Sequence, residues 1–292
     1  VRLEDTTTGC YNLTILNIDV LPNPLAIMPS ALAVCDDDND GFALFDLSLK
    51  DAEVIGGQSG MVVSYYDTLP EAQAGVNPLS TLYNNINPNT DQVFVRIEDS
   101  ITGCYNTTSL QLIVDPLPTT VTVSDYELCD ITNTGDMQEA FDLSSKDAEV
   151  SGGQSNMSVA YYASQADADA QVNALSSPYT NTSNPQPIFA VLTNTLTGCS
   201  SSTSFDLVVN PLPALVAPTP LEVCDDGIPD GFNAIDLTLK NTEISGNNPA
   251  YTVSYYLTLA DAEAELNPLP NPYTNTSNPQ TVFVRVEDSD TG

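Results

Sequence analysis

Cys35-Asp36-Asp37-Asp38-Asn39-Asp40-Gly41-Phe42 returns as Cys129-Asp130-Ile131-Thr132-Asn133-Thr134-Gly135, and again as Cys224-Asp225-Asp226-Gly227-Ile228-Pro229-Asp230-Gly231. These three cysteines lie 94 and 95 residues apart, and a second series, Cys10, Cys104 and Cys199, keeps both spacings. A period of this length, running through the whole chain, marks one module used several times. A repeated module speaks against an active site, which needs to occur only once, and for a structural or adhesive role.

The composition narrows the partners. Six Lys and Arg stand against 39 Asp and Glu, with no His, for a formal charge of −33. Such a chain lacks the cations that displace phosphate counterions from nucleic acid, and it has no basic cluster to meet anionic lipid. No apolar run approaches the roughly 20 residues of a membrane span. Without His there is no catalytic triad, and no phosphate-binding loop is present. A catalytic role is not expected.

Val1-Arg2-Leu3-Glu4-Asp5 matches Val95-Arg96-Ile97-Glu98-Asp99 and Val284-Arg285-Val286-Glu287-Asp288. The chain thus reads as a window on a longer array, with its signal and C-terminal segments elsewhere. Pro-containing stretches follow each closing strand, at Leu21-Pro22, Asp115-Pro116-Leu117-Pro118 and Asn210-Pro211-Leu212-Pro213. Proline fixes φ and gives no N–H to a ladder, so these are short stiff linkers. The expected domains are 1–22, the last hairpin of a preceding repeat, then 23–118, 119–213, and 214–292, which lacks its final strand.

Within a module the pattern is that of short strands. Phe45, Leu47 and Leu49 alternate with Asp46, Ser48 and Lys50, as do Val93, Val95 and Ile97, and Leu110, Leu112 and Val114, with polar neighbours. Val62–Tyr66, Val159–Tyr162 and Val253–Tyr256 are β-branched and aromatic runs. In each Tyr-Tyr pair one ring should face the core and the other a helix or solvent. Thr68-Leu69-Pro70-Glu71 has capping-box spacing, imitated by Ser164-x-x-Asp167 and Thr258-x-x-Asp261, and Ala72 and Ala74 favour one short helix there. The expected fold is all-β, with tandem immunoglobulin-like sandwiches of about 95 residues arranged as an elongated rod.

Six cysteines at two fixed phases suggest disulfides and an oxidising compartment. There is no CxxC and no His for zinc. In an immunoglobulin-like sandwich the first strand starts at the end where the last hairpin turns. Cys35 and Cys104 would then share an end, so the expected pairs are Cys35–Cys104 and Cys129–Cys199, with Cys10 and Cys224 bonded outside the window. Linking consecutive cysteines across a boundary would span roughly 35 Å, whereas bonded Cα atoms approach within about 7 Å.

Asp36-x-Asp38-x-Asp40-Gly41 is the first half of an EF-hand-type loop, with alternating carboxylates and Gly at the bend. Calcium is the cation it suits, with Asp46 as a substitute for the missing Glu at position twelve. Asp225, Asp226 and Asp230 offer a weaker copy, interrupted by a proline, and the second module keeps Asp130 alone. Lys50, Lys146 and Lys240 recur at nearly one phase and read as solvated ion pairs on a strand's polar face. Arg2, Arg96 and Arg285 read likewise as surface partners of Glu.

The combination of Cys-Asp-Asp-x-Asn-Asp-Gly-Phe, Phe45–Leu47, the Tyr-Tyr strand with Asp67–Ala72, Asn87–Arg96, Thr102–Cys104 and Pro116–Pro118 resembles the immunoglobulin-like repeats of large Flavobacterium-type adhesins. These cell-surface and gliding-type proteins of Bacteroidota are exported by type IX secretion. The resemblance covers the whole chain. It implies secretion, a cell-surface or filament location, and O-glycosylation at Thr6, Thr68 and Ser100. The expected function is a disulfide-locked, calcium-stiffened stalk whose partners are neighbouring repeats, its surface or glycan receptor unnamed. Multivalent glycan- or surface-binding modules and spacer domains of a secreted enzyme are the alternatives.

Overall fold

The computed structural model describes residues 1–291. The chain gathers into two compact units, one of Val1–Val121 with Ala148–Ala160 and Ala190–Thr203, the other of Thr122–Asp147, Tyr161–Phe189 and the chain from Ser204 on. The first repeat lies whole in the first unit.

An exposed hairpin opens the chain, β1 (Arg2–Glu4) against β2 (Tyr11–Leu13). The first repeat follows with β3 (Leu32–Cys35), β4 (Leu44–Asp46), α1 (Asp51–Ile55), β5 (Met61–Tyr66), α2 (Leu69–Ala74), β6 (Leu82–Asn84), β7 (Thr90–Asp99) and β8 (Tyr105–Asp115). Its main sheet has the order β3-β8-β7-β5, and β4 pairs with β6 in a second layer. Between them Phe45, Leu47, Val93, Val95, Ile97, Leu110 and Leu112 are fully buried. Fully burying a side chain of this size is worth about 1.5–3 kcal/mol relative to exposure.

The second repeat runs through β9 (Tyr126–Cys129), β10 (Ala140–Phe141), α3 (Asp147–Ser151), β11 (Met157–Tyr162), α4 (Gln165–Ala170), β12 (Tyr179–Thr180), β13 (Gln186–Asn194) and β14 (Ser200–Asn210), with sheet order β11-β13-β14-β9. The third has β15 (Ala234–Ile235), α5 (Asn241–Ile244), β16 (Tyr251–Tyr256), α6 (Leu259–Ala264), β17 (Tyr273–Thr274) and β18 (Phe283–Asp288), with β16 paired to β18.

The alternation at Phe45–Leu49 does not make one strand. β4 ends at Asp46, whose carboxylate accepts from Ser48 N and Oγ and turns the chain into a 3-10 helix over Leu47–Lys50. Leu47 stays buried while Leu49 is exposed. Each repeat therefore carries a second short helix, α1, α3 or α5, ahead of the expected one. The capping box forms as its spacing predicts. Thr68 Oγ1 accepts from Glu71 N and donates to the Glu71 carboxylate.

Both tyrosines of the first pair are buried. Tyr65 joins the core and donates to Asp51, and burial with that carboxylate pushes its phenol pKa up. Tyr66 shares the opposite face with Ser64 and Arg96, the side that α2 covers. Arg96 is thus no surface partner. It is buried, stacks on Tyr105 at 3.5 Å, bonds Glu98, and donates to the carbonyls of Ala72 and Gln73 near the C-terminus of α2.

Candidate functional site

β3 runs parallel to β8, with Leu32 opposite Leu112 and Cys35 opposite Asp115. Cys35 therefore sits at the end of β8, and Cys104 precedes its start. Eleven residues of strand put roughly 35 Å between them. The expected pair Cys35–Cys104 is excluded by this register. The same parallel register sets Cys129 opposite Asn210, far from Cys199 at the other end of β14, and excludes Cys129–Cys199.

Cys35 is instead bonded to Cys199, 164 residues on, with a Cα–Cα distance of 5.6 Å. The bond runs from the final residue of the first strand of one repeat to the hairpin of the next. The hairpin turn is braced by Asn194 N to Cys199 O, Gly198 N to Asn194 O and Thr195 N to Asn156 O. Around the staple, Cys199 Sγ lies 3.9 Å from the Asp115 carbonyl, and Asp36 N donates to the same oxygen. Ser201 Oγ donates to Pro118 O at 2.8 Å, and Gln154 exchanges two hydrogen bonds with Thr119. The proline linker is thus held at both flanks. Among the described residues Cys10, Cys104 and Cys224 have no disulfide partner.

The acidic loop starts at the residue after the staple. Carboxylate oxygens of Asp36, Asp38 and Asp40 all lie within 4.8 Å of one another. Calcium takes oxygens at 2.3–2.6 Å, so three ligands on one ion would have about this spread. Asp36 is buried and accepts from Gly41 N at 2.8 Å and from Asp38 N, while Asp38 accepts from Asp40 N and Asp40 from Phe42 N. Burial raises the Asp36 pKa, but the backbone donors of Gly41, Asp38, Asn39 and Asp40 outweigh it and hold the carboxyl below its usual range. Asp38 is pushed up, first by desolvation and then by the charges of Asp40 and Asp37. At Gly41, φ is 84° and an added Cβ would come within 2.9 Å of Pro88, so only glycine fits the bend.

Asp46 stands apart from this trio, as the cap of the 3-10 helix. In the third repeat Asp225 accepts from Gly231 N, Asp226 from Ile228 N and Asp230 from Phe232 N. These three form no convergent group among the described residues. In the second repeat Asp130 accepts from Gly135 N, and Glu139 accepts from Ile131 N, Thr132 N and Thr132 Oγ1. A protein carboxylate ties that loop internally. Among the glycosylation candidates Thr6 and Ser100 are exposed in hairpin turns, whereas the Thr68 hydroxyl is engaged in its helix cap.

Two recurring clamps escaped sequence reading. Lys50 Nζ bonds Ser30 Oγ and Glu53, and Lys240 Nζ bonds Thr219 Oγ1 and Glu243. Lys50 is therefore mostly covered, its side chain 12% exposed, rather than solvated on a strand. Asn85 accepts from Ala43 N and donates to the carbonyls of Gly41 and Asn87, and Asn181 and Asn275 repeat the arrangement. The phased asparagines before each Asn-Pro were the available signal.

An all-β module, repeated in tandem and cross-linked from one repeat to the next, defines a class of structural repeat proteins. The Flavobacterium inter-domain disulphide bond domain matches residues 31–118, 125–213 and 220–292, and the chain belongs to that family. No curated protein matches it. Among solved structures, the zebrafish RET cadherin-like domains 1 to 4 are 11% identical, over 94% of this chain and 69% of that one, with a TM-score of 0.21. Drosophila N-cadherin EC1-4 is 12% identical, over 78% and 66%, with a TM-score of 0.19. At those scores neither bears on the fold or function of this chain.

Proposed function

We propose that this chain is the stalk segment of a secreted cell-surface adhesin or extracellular filament, without catalytic activity of its own. The Cys35–Cys199 bond carries the reading, because its use is mechanical: it ties one repeat to its neighbour across the linker. A structural disulfide of this kind persists in an oxidising compartment, which supports export, by type IX secretion as the repeat resemblance implies. Asp36, Asp38 and Asp40 would hold calcium directly beside the staple and stiffen the same junction. The charge of −33 would keep neighbouring stalks apart and soluble. No helix among the described residues is long and apolar enough to cross a membrane.

Single-molecule stretching from the two termini tests the mechanical role. With the bond intact, the chain from Cys35 to Cys199, a sequence separation of 164, cannot extend, so full unfolding should release about 550 Å less chain than under reductant. Equal lengths with and without reductant would defeat the proposal.

A further inference from the structure

The loop after the first strand is tied differently in the second repeat. In the first repeat Asp36 commits both carboxylate oxygens to its own loop, Oδ1 to Asp38 N and Oδ2 to Gly41 N. Asp225 does the same in the third, accepting from Asp226 N and Gly231 N. Asp130 keeps only the second of these bonds, from Gly135 N to Oδ2. Thr132 N, which stands where Asp38 N does, donates instead to Glu139 Oε1, together with Ile131 N. Asp130 is 2% exposed, and its Oδ1 is left buried without a hydrogen-bond partner among the described residues.

Glu139 is itself buried, and its Oε2 accepts from Thr132 Oγ1. That hydroxyl and the two amides hold its carboxyl below the usual range, so it is charged at neutral pH. Ile131 N belongs to the peptide unit that Asp130 begins, so the two carboxylates stand one peptide apart. Among the described residues no protein cation meets them. Lys146 is the one Lys or Arg between Arg96 and Lys240, and its ammonium is bonded to Ser124 and to the Asp125 carbonyl. A buried carboxylate is stable when a cation or a full set of donors compensates it. Asp130 has neither.

We infer that the second repeat binds a divalent cation of the calcium class in this loop, with Asp130 Oδ1, Glu139 Oε2 and Thr132 Oγ1 as its protein ligands. The Thr132 hydroxyl gives its proton to Glu139 and keeps lone pairs for the ion. Calcium tolerates an irregular shell of carboxylate, hydroxyl, carbonyl and water oxygens, which a loop of this kind can complete. Glu139 supplies the second carboxylate that the alternating positions lack, since they hold Thr132 and Thr134 where the first repeat has Asp38 and Asp40. It lies outside that alternation, at the far end of the loop, so the spacing gave no sign of it. This site is separate from the Asp36 loop and from the stalk reading, and each can fail alone.

Equilibrium dialysis with calcium tests it, on the full chain carrying Asp38→Ala and Asp40→Ala so that the first loop does not contribute. Adding Asp130→Asn, whose amide oxygen still accepts from Gly135 N, should cost one bound ion per chain, and adding Glu139→Gln should weaken the binding of that ion. Hydrogen exchange places the ion: calcium should slow the amides of residues 130–139 in the parent and leave them unchanged once Asp130→Asn is added. Unaltered exchange in β13 shows that the repeat stays folded. If Asp130→Asn disturbs β13, Thr132→Val, which keeps the Thr132 amide, decides by the same two readings. Equal calcium binding with and without the substitution, or exchange in 130–139 indifferent to calcium in the parent, overturns the inference and leaves the two carboxylates sharing a proton.

Discussion

Glu53 shows how a single carboxylate is tuned in this module. Lys50 hydrogen-bonds it, Ser30 donates from its backbone and hydroxyl, and together they lower its pKa from 4.5 to about 2. A depressed folded-state pKa contributes stability that is present above the unfolded value and lost as pH falls through the folded one. Glu53→Gln should therefore lower the melting midpoint at neutral pH, and the gap to wild type should close between about pH 4.5 and 2. A gap that persists at pH 2 would mean the carboxylate is not held by this clamp. The phase of Lys50 was legible in the sequence, but its burial was not. Nothing local to Lys-Asp-Ala-Glu reveals Ser30, which comes from 20 residues upstream. Asn85 hid for the same reason, since its partners at 41 and 43 lie more than 40 residues away.

At the scale of elements, local rules worked where the bonds are local. The capping box at Thr68–Glu71 and the buried alternation of β7 and β8 form where their spacing places them. Leu110→Ala should cost about 2–5 kcal/mol, as truncation of a fully buried aliphatic side chain does; denaturant unfolding of the chain measures it. The alternation misled at Phe45–Leu49, because the Asp46 carboxylate intercepts Ser48 N after one strand residue pair and starts a helical turn. In the acidic loop the sequence marked the trio that converges, Asp36, Asp38 and Asp40, but could not separate it from Asp46, whose role depends on that turn. Calcium should raise the melting midpoint, and Asp38→Ala should remove most of the rise. Because desolvation and neighbouring carboxylates raise the Asp38 pKa, calcium affinity should fall on acidification before ordinary carboxylates titrate. Calorimetric titration across pH reads both effects, and no calcium-dependent shift would leave the loop a solvated turn.

On the scale of the whole molecule, the decisive feature is the direction of β3. The cysteine phases announced disulfides, and the distance limit on bonding was sound. What the residues did not reveal is that the first strand lies parallel to the last, which carries Cys35 to the far end of its repeat. That one register turns an expected internal bond into a link between repeats. Closing 164 residues is worth about 5 kcal/mol on loop-closure entropy alone. Cys35→Ser should accordingly lower stability and free the junction, seen as faster proteolysis in the Pro116–Pro118 linker. The most direct measurement is peptide mapping by mass spectrometry under non-reducing conditions, after digestion at acidic residues. The expected result is a peptide carrying Cys35 cross-linked to one carrying Cys199. Recovery of Cys35 bonded to Cys104 would contradict the inter-repeat staple, and with it the stalk built on it.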